Sequence, residues 1–102
     1  MAWKIVWSVK AVKTCNVNLD YLFKEWTERE VNNFISRVND KLQLIEGQPR
    51  IGIMLNKKKN IHGTLVHKKV TLIYRIRTVK KEIELVTFWN NLQDPKRLKF
   101  GG

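Results

Sequence analysis

The sequence contains a single cysteine, Cys15, so no disulfide can close within the chain. That absence fits a reducing compartment. Long apolar runs are missing too. None approaches the roughly 18 residues of a membrane span, and Lys4 and Ser8 break up the opening MAWKIVWSVK where a secretory signal would need an apolar stretch. The expectation is a soluble cytoplasmic protein with no membrane partner. No P-loop or dinucleotide fingerprint occurs, so no cofactor is expected. Acidic residues are scarce in one half only. Residues 50–102 hold three Asp/Glu against thirteen Lys/Arg, whereas residues 1–49 hold six against seven, so nearly all of the +11 net charge lies in the second half. A general solubility device would not need that bias, and a polyanionic partner, nucleic acid or an acidic protein segment, would explain it.

Apolar residues make up 43% of the 102, with four Trp, two Tyr and four Phe. That is enough for one domain with one core and excludes a disordered tail. WKIVWSV (3–9) alternates and reads as a first strand. From Lys10 the period becomes helical, with Val12, Cys15, Leu19, Leu22, Phe23 and Trp26 on one stripe. Thr27-Glu28-Arg29-Glu30 matches a capping box. It opens a second helix with Val31, Phe34, Ile35, Val38, Leu42 and Ile45 as its apolar stripe, ended by Gly47 and Pro49. Helices joined this tightly form an antiparallel hairpin. Short apolar runs follow at 51–55, 61–67, 70–77 and 82–89, separated by basic turns: strands of an antiparallel sheet. The fold class is α+β, a helical hairpin packed on one face of a twisted antiparallel sheet. The tail NNLQDPKRLKFGG leaves the sheet, and the terminal Gly-Gly is unstructured.

Candidate site residues follow from that layout. In VTLIYRIR, Val70, Leu72, Tyr74 and Ile76 share one face. Thr71, Ile73, Arg75 and Arg77 share the other, with the two guanidiniums about 7 Å apart along the strand. Arginine makes planar bidentate contacts with phosphate or carboxylate, and a rigid strand holds the fork in place. Lys57, Lys58 and Lys59 lie in one turn, Lys68 and Lys69 in a second, Lys80 and Lys81 in a third, and Lys96, Arg97 and Lys99 in the tail. If the helices cover one face, these cations gather on the other. His62 and His67, five apart on one strand, should face opposite sides, which does not suit a shared metal site, and no metal is expected. His67 is the one convincing proton-transfer candidate. Cys15 belongs to the core, and Glu82 with Glu84 reads as charge compensation for the cations. Phe88 and Trp89 should lie on opposite faces, one in the core and the other exposed as a platform for a base or a partner side chain.

The order of elements and four stretches resemble the RelE/ParE superfamily of toxins from type II toxin–antitoxin systems, of the ParE-like or plasmid-stabilisation type. These are WKIVWSVKA, YLFKEWTEREVNNFISRVNDKLQLIEGQP, LVHKKVTLIYRI and IELVTFWNNLQDPKRL. The likeness runs over about residues 3–99, one toxin domain at 1–99 with a flexible end at 100–102. It implies a growth-inhibiting protein neutralised by a cognate acidic antitoxin. RelE-like members cleave messenger RNA on the ribosome, and ParE-like members bind DNA gyrase and are not nucleases. RNA-cleaving members carry an arginine toward the end of the strand matching 61–67, where this chain has Leu65, Val66 and His67. They also carry a histidine, tyrosine or basic residue after the last strand, where this chain has Trp89, Asn90, Asn91 and Leu92. The resemblance therefore favours a ParE-like toxin that acts by binding. Its contact residues would be Lys57, Lys58, Lys59, Lys68, Lys69, Arg75, Arg77, Trp89, Lys96 and Arg97, with Trp89 and Phe100 as apolar anchors. The alternatives are a ribosome-dependent RNA endonuclease, with His67 moving the proton and Arg75 stabilising charge, and a plain basic nucleic-acid-binding module.

Overall fold

The structure is a computed structural model that describes residues 3–25, 27–67 and 69–91, the side chains of Leu22, Phe23 and Glu25 excepted. The elements are β1 (Lys4–Trp7), α1 (Val9–Glu25), α2 (Glu28–Gly47), a single 3-10 turn (Pro49–Ile51), β2 (Ile53–Asn56), β3 (Ile61–His67), β4 (Val70–Arg77) and β5 (Glu82–Asn90). The architecture is α+β, with one five-stranded sheet in the order β1-β5-β4-β3-β2. Strands β2 to β5 are antiparallel, and β1 adds to the edge parallel to β5, with Lys4 opposite Glu82 and Trp7 opposite Leu85. The sheet is therefore mixed. The two helices between β1 and the rest of the sheet form the long crossover that a parallel neighbour needs.

Alternation in WKIVWSV suggests a strand to Val9, but the strand ends at Trp7. Ser8 ends it, because its Oγ donates to the Val86 carbonyl (3.2 Å) and accepts from the Ala11 N–H (3.0 Å), which caps α1. The Thr27 hydroxyl caps α2 by accepting from the Glu30 N–H at 3.4 Å, as the capping box requires. Its buried stripe is Val31, Phe34, Val38 and Ile45, while Ile35 stays exposed.

One face of the sheet meets both helices. Leu72, Tyr74 and Ile76 of β4, Ile83, Leu85 and Phe88 of β5, and Val66 of β3 pack with Ala11, Phe34, Val38 and Ile45. On α1, Cys15 and Leu19 of the expected stripe pack against the core, but Val12 does not. Val12 is 45% exposed, and Ala11 and Asn18 are buried instead. The cause lies in β5, where a bulge falls between Leu85 and Thr87. Phe88 enters the core behind it and stacks on Trp7, ring centroids 5.6 Å apart. Thr14 and Asn18, one turn apart on α1, serve the backbone there. The Phe88 N–H donates to Thr14 Oγ1 (2.9 Å), and Asn18 Nδ2 donates to the Phe88 carbonyl (3.0 Å). Buried backbone groups near a bulge need such partners.

Candidate functional site

The β2–β3 connection is built by two asparagines. Asn56 Oδ1 accepts from the Lys59 N–H at 2.9 Å, and the Asn60 N–H donates to the Lys57 carbonyl at 3.3 Å. Asn60 takes a left-handed backbone (φ 56°), which asparagine tolerates better than most residues. It also grips the end of β4 twice. Its carbonyl accepts from the Ile76 N–H (3.0 Å), and its side-chain amide donates to the Ile76 carbonyl (3.1 Å). Three exposed lysines, Lys57, Lys58 and Lys59, are thereby fixed beside Arg75 and Arg77. The β4–β5 turn, Thr78 to Lys81, closes the other side. There the Lys81 N–H donates to Thr78 O, and Lys81 O accepts from the Lys4 N–H. Between the two turns lies an open depression of about 520 Å³ lined by Lys57, Lys58, Lys59, Arg75, Arg77 and Lys80. Val79, at the tip of the second turn, is 98% exposed.

Arg75 lies across from Glu84, and Arg77 across from Glu82, on the face turned away from the helices. Six cations thus ring the depression with two carboxylates beside the arginines. That excess focuses a positive potential on a concave surface and attracts anions at long range.

Two other expected contact residues, Lys69 and Trp89, do not join this cluster. Trp89 opposes Thr71, and the Lys69 carbonyl accepts from the Asn91 N–H, both at the far end of β4. Thr71 is about 20 Å along the strand from Arg77. Phe88 is core and Trp89 is half-buried, as expected for neighbours on opposite faces. Lys68, Lys96, Arg97 and Phe100 lie outside the described residues.

His67 and Arg75 do not come together. His67 pairs with Val70, sets its ring edge-on to Phe34 of α2 (6.2 Å), and accepts from the Lys69 N–H at Nδ1 (3.1 Å). It therefore faces the helices, while Arg75 faces the opposite side. The expected opposition of His62 and His67 is also overturned. A bulge between Leu65 and His67 inserts one residue, and both rings turn to the helix side. His62 is 2% exposed and stacks on Tyr74 at 5.7 Å. Its Nδ1 has no hydrogen-bond partner. Burial holds its pKa below the ordinary value of 6.5, a hydrogen bond with the Asn60 backbone acts the other way, and the Arg50 charge lowers it further. Tyr74, also buried, donates its hydroxyl to the Pro49 carbonyl (2.6 Å) and accepts from the Gly52 N–H (3.1 Å). Burial raises its pKa. Among the described residues, no three His, Cys, Asp or Glu side chains gather as metal ligands. No described helix is long and apolar enough to cross a membrane.

No family model and no curated protein matches the sequence. Solved structures do match its shape. A YoeB/ParE toxin from Agrobacterium tumefaciens superposes with a TM-score of 0.60 at 13% identity, covering 85% of this chain and 96% of that one. A double arginine-to-alanine mutant of the E. coli toxin RelE, in the free state, superposes with a TM-score of 0.58 at 14% identity, covering 88% of this chain and 84% of that one. The chain has the RelE/ParE toxin fold.

Proposed function

We propose that the protein is the toxin of a type II toxin–antitoxin pair, that it acts by binding a protein target such as DNA gyrase, and that a cognate acidic antitoxin neutralises it. Two features support the toxin class: the shared fold, and a cation-ringed depression on the sheet face opposite the helices. The observation that carries the binding mode is the separation of His67 from Arg75. Cleavage of RNA needs a proton-transfer group and a charge-stabilising group converging on one phosphate. Here the one histidine offered for proton transfer leans on Phe34, behind the sheet from the arginines. The depression can hold an anionic partner without that chemistry.

The test is controlled expression in bacterial cells, with DNA replication and transcript integrity read in parallel. The expected result is growth arrest with stalled replication and intact transcripts, relieved by the neighbouring antitoxin gene. Transcript breaks that vanish in His67→Ala and Arg75→Ala would establish the endonuclease instead. Harmless overexpression would leave a basic nucleic-acid-binding module.

A further inference from the structure

His62 sits where an added proton meets no partner. Its ring is buried and stacks on Tyr74 with 17° between the planes, and its Nδ1 makes no hydrogen bond. Tyr74 in turn ties down the segment that leads into β2. Its hydroxyl donates to Pro49 O at the start of the 3-10 turn and accepts from the Gly52 N–H just past its end. The fit is close, since a Cβ at Gly52 would lie 2.5 Å from that hydroxyl oxygen and 2.9 Å from Gly63 O. Strand β2 itself is lightly held. Its register with β3 runs through Ile53, Met54 and Asn56, with a bulge between the last two, and Met54 lies opposite His62. Ile53 is 74% exposed and Met54 45%. Segments with few buried contacts are the first to open. Strand β2 also carries one leg of the Lys57–Lys59 turn.

We infer that His62 and Tyr74 form an acid-released latch: a proton on His62 frees the 3-10 turn and β2 together, while the rest of the sheet stays paired. A neutral ring can leave Nδ1 as a bare acceptor. A protonated ring has a donor there, and a buried donor without a partner is costly, as is a buried charge without a counter-charge. The surroundings supply no counter-charge. The 3-10 turn brings Arg50, which opposes the proton. Strand β4 brings Tyr74, whose hydroxyl is kept protonated by burial. The buried residues of α2 are Val31, Phe34, Val38 and Ile45, none of which titrates. The hydrogen bond with the Asn60 backbone favours the proton, but burial outweighs it. The ring therefore takes a proton more readily once the segment has opened, and acid shifts the balance toward the open form. Opening withdraws one leg of the Lys57–Lys59 turn, so the cationic rim loses its fixed place beside Arg75 and Arg77. As regulation of the proposed binding surface this inference rests on the toxin reading, but the opening itself does not.

The test is hydrogen exchange on the full chain between pH 7 and pH 5, with each amide's protection corrected for its intrinsic rate. The amides of Gly52 and β2 should lose protection as pH falls below about 6.5, by at most about tenfold per pH unit, because a single proton is taken up. Low urea should leave their protection unchanged, since the opening exposes little surface. Amides of β4 and β5 should be better protected at each pH and should respond to urea. His62→Phe should remove the acid response of β2 and keep its indifference to urea. If that variant does not fold, His62→Gln serves in its place and also cannot titrate. Arg50→Gln should shrink the acid response, because the closed form then resists the proton less. Three results would each overturn the inference: an acid response that survives the loss of His62, one that is undiminished in Arg50→Gln, or β2 amides that match those of β4 and β5 in protection and urea dependence. Acid opening without growth arrest in cells would sink the toxin reading alone. Growth arrest without acid opening would sink the inference alone.

Discussion

Tyr74 shows how much one buried hydroxyl can organise. It lies in the core, 0% exposed, yet its oxygen donates to Pro49 O and accepts from Gly52 N. Removing it leaves two backbone groups short of a partner where water has little access. Tyr74→Phe should cost about 1–3 kcal/mol, read as a lower urea midpoint with an unchanged slope. His62 supplies a pH dependence. Its folded pKa lies below 6.5, so the unfolded chain binds the proton more readily. Its contribution to stability is complete above about 6.5 and is lost as pH falls from there toward the lowered folded value. His62→Phe keeps a ring against Tyr74 and cannot titrate. Unfolding curves at pH 7 and pH 5 should lie closer together for this variant than for the parent. A variant with the same pH slope as the parent would count against a role for His62.

The two bulges do most to separate what alternation and helical period announce from what forms. Strand β4, with no extra residue of its own, places Leu72, Tyr74 and Ile76 on one face and Arg75 and Arg77 on the other, as its pattern reads. On β3 and β5 an inserted residue resets the alternation. His67 crosses to the helix side, and Phe88 joins the core. No local signal in LVH or LVTF announces a bulge, because β-branched and apolar residues suit either face. On α1, Cys15 and Leu19 meet the core as their spacing announces, but the buried Asn18 has a linked cause. Thr14 and Asn18 look like surface polar residues until the β5 backbone needs them. Their spacing of four was the one available sign, since it puts both on the same helix face. Asn18→Ala should leave the Phe88 carbonyl unsatisfied and cost about 1–3 kcal/mol. The loss should appear as faster hydrogen exchange at the α1–β5 contact than elsewhere.

Charge is a property of the whole molecule. The sequence concentrates cations in residues 50–102, and the fold sets described ones at both ends of the sheet. The Lys57–Lys59 turn, Arg75, Arg77 and Lys80 gather at one end, while Lys69 and Trp89 lie at the other. The gathering was readable from strand pairing. The division was not, because it depends on which turns share an end. Replacing Lys57, Lys58 and Lys59 by Ala should change the unfolding free energy by less than about 0.5 kcal/mol, since exposed turn charges add little stability. Binding of an acidic peptide should weaken, and its dependence on salt should flatten. Identical affinity at 50 mM and 300 mM salt for the parent protein would exclude the electrostatic role.

Among the described residues, strand β1 pairs with β5 alone, and the Lys81 carbonyl takes the Lys4 N–H. Strand β1 must therefore wait for β5 before it has a place. Until then the basic rim lacks the wall that Lys80 supplies. Non-local closure of this kind is slow and all-or-none. A chain interrupted before Glu82 lacks the strand that seats β1 and closes the turn carrying Lys80.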